Sequence, residues 1–508
     1  DPDEFDILLG HYSYAHKSKV TAGRTVVFDE FPDAYEETLT TPERAISYWL
    51  STVDGVPFED YTDLHDNRDD QERRADALLW FDEHGVEADE QHVFDDPSAH
   101  ADAPLAVFTL LAGDDLGNGF EAVEIDGVGR GVYNRATTEV SVLRSPPLAD
   151  APPSQKPSGI VALDGTPTKR MWELALGERL DHRPVLQQAE RAEYIEHALN
   201  LNLVRSSDYI KSYNSADHVN PESDAALLEA IADEHGQKPS VITTMTAKGE
   251  YDDAGVLDLV DDTKHYGNVL GSNEFDDTRL GAVIGSNHYG DGYIKKWGAY
   301  AGETVERGDG KGTDLSYGGF GDDVLTHMRE HDTLQAAMRF GRDGNGAVVY
   351  VHTDTLPEWV PLAGEARVVR TRDDGERQVL DAIDGRKRWT TADVADAVDV
   401  TERRVRQILD ELVEDGVVEK GAHPDDGRVI EWADAGVDDL DDHVELPDFE
   451  DGADEESSGN SRNGSYYTWV SATSPTAPPD ERSGPGDPHR PASDRSTSDD
   501  AAGGAPPG

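Results

Sequence analysis

Short apolar runs recur along this sequence, and stretches with helical spacing separate them. Two runs, Leu280 to Ser286 and Ala347 to Val351, are nearly continuous in aliphatic residues, as expected for strands that are buried on both faces. Asp224 to His235 has the spacing of an amphipathic helix. Strand–helix alternation of this kind predicts an α/β fold with parallel, doubly wound sheets.

The net charge indicates the salt concentration in which this protein works. Over 508 residues the chain carries 105 acidic and 45 basic side chains, a formal net charge of −60. The acid is spread over the whole chain, as expected of a surface in molar salt, where charge is screened within about 3 Å. We therefore expect a high-salt, haloarchaeal cytoplasm. Nucleic-acid binding there would depend on local basic groups, stacking and shape, because counterion release weakens as salt rises.

The composition excludes cysteine-based sites and argues against a membrane span. The chain has no cysteine, so it cannot form a disulfide, a thiolate zinc site or a Cys-ligated iron–sulfur cluster. No apolar run approaches 18 residues, so no membrane span is expected. The sequence begins at Asp1, without methionine, in what reads as the middle of a domain, and this suggests a fragment.

An acidic pair follows an early predicted strand. Residues 6–18 are predicted to be a short strand running into a loop, and Thr25 to Phe28 is a second strand that ends in Asp29 and Glu30. Ligands of α/β folds bind at the carboxyl edge of the sheet. Asp29 can hold Mg²⁺ through water there, and Glu30 can orient an attacking water. The alternative is a strand followed by an acidic loop.

A late segment carries an amide and two guanidiniums. Gln335, Arg339 and Arg342 are spaced i, i+4 and i+7 in a predicted helix from Gln335 to Arg342, which places them on one face. Guanidinium binds phosphate in a forked, charge-assisted way and stabilises charge on a transferring phosphoryl group. The alternative is a solvated helix end.

Two further turns complete a pattern. A strand from Gly159 to Leu163 leads into a hydroxylated turn with Gly165, Thr166 and Thr168, and a Gly-rich loop with Gly271 and Asn273 precedes the Leu280 strand. Each is also compatible with an ordinary strand–turn. Taken in order, the acidic pair, the hydroxylated turn, the Gly-rich loop and the Gln-x-x-x-Arg-x-x-Arg segment resemble the motifs of superfamily-two (DEAD/DEAH-like) helicases.

This resemblance implies two RecA-like domains with ATP and Mg²⁺ between them. It assigns Mg²⁺ binding to Asp29, water orientation to Glu30, and the γ-phosphate or closure of the cleft to Gln335, Arg339 and Arg342. Coupling to nucleic acid is assigned to Gly165, Thr166, Thr168, Gly271 and Asn273. The family's phosphate-binding loop, Gly-x-x-x-x-Gly-Lys-Ser/Thr, is absent from the sequence. The first domain is therefore expected to be incomplete, and tight ATP binding is expected to be lost without that loop.

Residues 374–432 are similar to a winged helix-turn-helix domain, with three helices followed by a two-stranded wing. The third helix places Arg403, Arg406 and Gln407 on its exposed face, where they could enter the major groove of DNA. Arg386, Lys387 and Arg388 add a basic cluster. The alternative is a winged helix that binds protein.

The predicted units are a partial first RecA-like domain at 1–180 with an insertion at 41–155, a second at 185–360, a winged helix at 370–433 and a disordered acidic tail at 434–508. In the tail, Tyr466 to Val470 is either a strand for a protein partner or incidental apolar content. The expected function is an ATP-dependent helicase or translocase acting on DNA or RNA. The alternative is a DNA-binding or regulatory protein that acts through the winged helix, with an inactive RecA-like body.

Overall fold

The computed structural model of the chain describes residues 5–86, 99–148, 151–268, 274–368, 374–414, 418–423, 429–435 and 444–447. It contains two parallel sheets together with antiparallel sheets, so the α/β class expected from the sequence is confirmed. None of the helices in these ranges combines the length and the apolar composition that crossing a membrane requires.

The first parallel sheet has two strands, and an antiparallel sheet is inserted between them. β1 and β7 pair from Thr25 opposite Gly159 to Asp29 opposite Leu163. The inserted strands pair in the order β2-β6-β5-β4-β3. The seven strands are β1 (Thr25–Asp29), β2 (Glu36–Thr38), β3 (Asp114–Asp115), β4 (Phe120–Ile125), β5 (Gly129–Asn134), β6 (Glu139–Arg144) and β7 (Gly159–Leu163). The α-helices of this part are Ser18–Thr21, Glu43–Thr52, Tyr61–Asn67, Gln71–His84, Ala103–Ala112 and Lys169–Leu176.

The second parallel sheet has six strands in the order β10-β9-β11-β12-β8-β13. They are β8 (Leu201–Arg205), β9 (Ser240–Thr243), β10 (Thr263–His265), β11 (Leu280–Ile284), β12 (Ala347–His352) and β13 (Gly364–Glu365). Every residue of β9, β11 and β12 is buried, because apolar side chains pack on both faces. The accompanying helices include Gln188–Glu193, π-helical Tyr194–Ala198, Pro221–His235 and Met245–Ala254.

The chain between β11 and β12 packs against both sheets. Its helices are Asp291–Tyr300, Phe320–Thr326, π-helical His327–His331 and Asp332–Ala337. Trp297 and Phe320 belong to the hydrophobic core that contains Phe28 of β1 and Trp172. Leu334 packs in the core of the six-stranded sheet. This segment therefore contributes side chains to the separate cores of both parallel sheets, and the π-helical turn lies where the chain passes from one core to the other.

The C-terminal unit combines three helices with a three-stranded antiparallel sheet. The helices are Asp374–Ile383, Thr391–Ala395 and Glu402–Glu414, and the sheet has the order β15-β17-β16. The strands of this sheet are β15 (Arg388–Thr390), β16 (Val418–Ala422) and β17 (Ile430–Asp434). A separate antiparallel pair, β14 (Arg367–Val368) with β18 (Val444–Glu445), lies against the Pro221–His235 helix of the six-stranded sheet. Thr390 and Asp393 form a capping box, which satisfies two backbone N–H groups at a helix start.

Two local expectations are wrong. Residues 5–11 form no strand, and the chain then forms a 3₁₀ turn from Tyr12 to His16. The expected helix from Gln335 to Arg342 ends at Ala337 instead, so Arg339 and Arg342 do not share a helical face with Gln335. The chain leaves the helical range at Met338, which has a φ of −77° and a ψ of 4°. Gly341 then has a φ of +64°, and a Cβ there would lie 2.6 Å from the backbone of Gly346. The chain turns back into β12 at this point.

Candidate functional site

The acidic pair lies at the carboxyl end of β1. The side chain of Asp29 is exposed, and its backbone oxygen accepts a 2.6 Å hydrogen bond from the Tyr12 hydroxyl. Glu30 has a φ of +68°, which is uncommon for a residue with a Cβ, and its N–H donates to the Leu163 oxygen at 2.9 Å. Backbone in this region costs on the order of 1 kcal/mol and tends to persist where the surrounding structure fixes it.

Two residues of the late segment contact this edge. The Arg339 guanidinium donates from Nη2 to Oε1 of Glu30 at 3.0 Å, and the arginine is only 7% exposed. Gln335 donates from Nε2 to the hydroxyl of Thr166 at 2.6 Å. We call Glu30, Thr166, Gln335 and Arg339 the junction. It links the loops after β1 and β7 to the segment that precedes β12.

Arg342 does not join the junction. It is exposed in the turn after Gly341, and it has no hydrogen bond or ion pair with the described residues. The structure therefore separates the two arginines that the sequence placed on one face. Arg339 is buried against an acid, whereas Arg342 is free to meet a ligand or solvent.

The hydroxylated turn after β7 is held by its own side chains and by two histidines. Asp164 accepts hydrogen bonds from the N–H of Thr166 at 2.7 Å and from the indole of Trp172 at 2.8 Å. The hydroxyl of Thr168 lies 3.2 Å from Nδ1 of His327 and 3.4 Å from Nδ1 of His331. Gly165 is exposed, and its oxygen accepts from Arg191 at 3.0 Å.

His327 and His331 were missed by the sequence reasoning, although their spacing of four residues was a usable signal. Burial lowers the pKa of His327 to about 4, and burial together with the neighbouring His327 lowers the pKa of His331 to about 4. Both rings are therefore neutral at physiological pH and act as hydrogen-bonding groups rather than as cations.

Two further acids face the junction region. Burial raises the pKa of Asp33 to about 6, with the carboxylates of Glu36, Asp164 and Glu30 adding to the effect. Burial raises the pKa of Asp332 to about 7, aided by Asp33 and opposed by a 2.8 Å hydrogen bond from the Asn287 amide. Negative charge is therefore already crowded here.

The residues present fit Mg²⁺ only in a limited way. The described residues contain no group of three or more His, Asp or Glu side chains that could hold a metal ion. The Asp29 carboxylate is exposed and has no hydrogen-bond partner among them. Mg²⁺ commonly uses one or two carboxylates together with waters and substrate phosphates. Asp29 fits that role, and the remaining ligands would have to come from water and the substrate.

The predicted DNA-binding residues lie on the C-terminal unit. Arg403, Arg406, Arg386 and Lys387 are exposed, and their side chains have no ion pair with the described residues. The other two are engaged locally: Arg388 pairs with Glu431 at 2.9 Å, and Gln407 donates to Glu411 at 3.1 Å. Four free cations on one small unit stand out against a chain of net charge −60.

Gly271 and Asn273 lie outside the described residues.

Comparison of the chain with protein-family models, with curated proteins and with solved structures gives no match.

Proposed function

We propose that this chain contains the nucleotide-responsive part of a nucleic-acid-dependent NTP hydrolase, a helicase or translocase with two RecA-like domains. The observation that carries the proposal is the contact of Arg339 with Glu30, two residues 309 positions apart. A buried guanidinium that meets an acid at the carboxyl edge of a parallel strand is placed where α/β folds bind ligands.

The roles follow from the chemistry of each group. Asp29 would hold Mg²⁺, and Glu30 would orient the attacking water. Arg339 and Arg342 would stabilise charge on the transferring phosphoryl group, since guanidiniums bind phosphate oxygens with charge-assisted hydrogen bonds. The Gln335–Thr166 bond supports a coupling role for the turn after β7, because it ties that turn to the same segment as the arginines.

A phosphate-binding loop does not occur in the sequence. In P-loop NTP hydrolases that loop and its lysine hold the β- and γ-phosphates.

The test therefore measures ATP hydrolysis, with and without single-stranded DNA and at molar KCl, by the protein as its whole gene encodes it. We expect stimulation by DNA. Arg342→Ala should lower kcat by about 10³-fold, as loss of an arginine finger does. The variant Arg44→Gln, which removes an exposed and unpaired arginine elsewhere, should leave kcat unchanged. Unchanged turnover in Arg342→Ala would refute the role assigned to this arginine.

A second candidate function has its own observation, the four free cations of residues 374–434. A winged helix would present Arg403 and Arg406 to the major groove of duplex DNA. The double variant Arg403→Gln/Arg406→Gln should weaken duplex binding by about tenfold or more and reduce the salt slope by about 2. The matched control, Lys19→Gln/Arg44→Gln, removes two exposed cations from the first part of the chain. DNA binding by the wild-type protein with no ATP effect would favour this function over the first.

A further inference from the structure

The groups proposed to act on a phosphate already bind each other. We infer that Glu30 is an internal competitor for Arg339, so that the arginine stays neutralised until a polyphosphate displaces the carboxylate. This inference rests on the proposed function and concerns regulation of the same site.

Burial explains why this ion pair is an exchange point. Arg339 is 7% exposed, and Glu30 is its one side-chain partner among the described residues. A buried guanidinium that loses its acid without replacement is left uncompensated, which is strongly unfavourable. Arg339 should therefore release Glu30 only when another anion arrives. A triphosphate supplies several oxygens for this purpose.

The two adjacent acids are in different states, which supports the same conclusion. Asp29 is exposed and its carboxylate has no partner in the part of the chain that the structure describes, whereas Glu30 is paired. The positive φ of Glu30 turns the chain between the two residues. One carboxylate is free to meet a cation while its neighbour is held on Arg339. Release of Glu30 by the arriving phosphate would make the second carboxylate available at the same moment.

The packing around the ion pair determines which of its parts can move. Phe31, next to Glu30, lies against Trp172, Trp297 and His327 at ring-centroid distances of 5.3, 5.9 and 5.5 Å. This packing holds Phe31 against the hydrophobic core that β1 shares with the segment between β11 and β12. Arg339, in contrast, lies in a short turn between Ala337 and the left-handed Gly341. Phe340 in this turn is 2% exposed and stacks on Phe275, so the turn is anchored. The side chain of Glu30 is 35% exposed, and its rotation can separate the pair while the aromatic contact stays intact.

A double-mutant cycle on ATP binding tests the inference. ATP with excess Mg²⁺ is titrated calorimetrically, at molar KCl, into the protein as its whole gene encodes it, in four forms: wild type, Glu30→Gln, Arg339→Gln and the double variant. We expect Glu30→Gln to bind ATP about fivefold tighter than wild type, since one competing ion pair is removed. In the Arg339→Gln background the same change should have no effect. Glu83→Gln, which removes an exposed and unpaired acid from the Gln71–His84 helix, controls for net charge.

Each outcome decides. Equal tightening in both backgrounds would mean simple repulsion between Glu30 and the phosphates, and would overturn the inference. Unchanged or weaker binding by Glu30→Gln would overturn it as well. The same four proteins are also unfolded with denaturant in the absence of ATP. Coupling between the two substitutions in unfolding, without ATP binding by any variant, would show that the pair exists and that the proposed function has failed. Absence of that coupling would overturn the internal competitor alone.

Discussion

The strands of both parallel sheets are rich in apolar residues, but they differ in how completely those residues are buried. β11 and β12 are buried at every position. On β1 and β7, the paired residues Val27 and Val161 are 55% and 41% exposed, on the same face of the sheet. The opposite face carries Phe28, which is 2% exposed in the core shared with the later helices.

This difference shows that apolar strands do not by themselves make a stable sheet. Parallel sheets are normally covered on both faces. The six-stranded sheet has its own cover in two apolar cores. The two-stranded sheet is covered on its inner face by Trp172 and by side chains such as Trp297, which the chain supplies from between β11 and β12. The smaller sheet should therefore depend on that segment more than the larger sheet does.

Removing Trp297 should produce the largest effect and should fall on the smaller sheet. This side chain is 1% exposed, and Trp297→Ala should cost roughly 3–5 kcal/mol of unfolding free energy because it leaves a cavity. Hydrogen exchange should show lost protection in β1 and β7, with β11 and β12 retained. Trp359→Ala, at a partly buried position against the core of the six-stranded sheet, is the matched control. Equal loss of protection in both sheets would break the comparison.

Two valines at the middle of their strands measure the difference directly. Val349 of β12 is 0% exposed and Val27 of β1 is 55% exposed. Val349→Ala should lower the unfolding free energy by roughly 2–3 kcal/mol, since it removes two buried methyl groups and leaves a cavity. Val27→Ala should change it by less than about 0.5 kcal/mol. Both values come from denaturant unfolding. A cost at Val27 as large as that at Val349 would show that the outer face of β1 is covered in solution.

Much of this arrangement follows from periodicity. The helix predicted from Asp224 to His235 occurs as Pro221–His235, and the strands near residues 25, 159, 280 and 347 occur where apolar runs predict them. The strand expected within residues 6–18 does not form, because its apolar side chains have neither a pairing strand nor a covering core among the described residues. Ile7 and Leu9 have the composition of a strand, but they are 80% and 96% exposed, and no described strand pairs with them. Local composition records the tendency to form a strand and does not record whether a partner is present.

The site shows the same limit. Sequence order and spacing suggested Glu30, Thr166, Gln335 and Arg339, and the structure brings these four together. The helical spacing that joined Arg339 and Arg342 to Gln335 failed, because the helix ends at Ala337 and both arginines lie in the turn that follows. The histidines beneath Thr168 were not predicted, since their role depends on a contact between residues more than 150 positions apart.

A pH-dependent effect should separate the junction region from both sheets. Burial raises the pKa of Asp332 to about 7, well above its ordinary value of 3.8. Between these values the folded protein holds a proton that the unfolded chain releases, so this group's contribution to stability falls as pH rises from about 4 to about 7.

Asp332→Asn removes this titration while an amide oxygen can still accept from Asn287. The stability of wild type relative to this variant should fall by roughly 3 kcal/mol over that range. His327 and His331 have the opposite pH dependence: their contribution to the free energy of unfolding is lost as pH falls toward their lowered pKa of about 4. Both proteins contain these histidines, so this contribution cancels in the difference between wild type and variant. Denaturant unfolding at several pH values measures the difference, with the exposed Asp261→Asn as control. A difference that stays constant with pH would mean that Asp332 is charged in the folded protein, and the junction region would then be more open to water than its packing indicates.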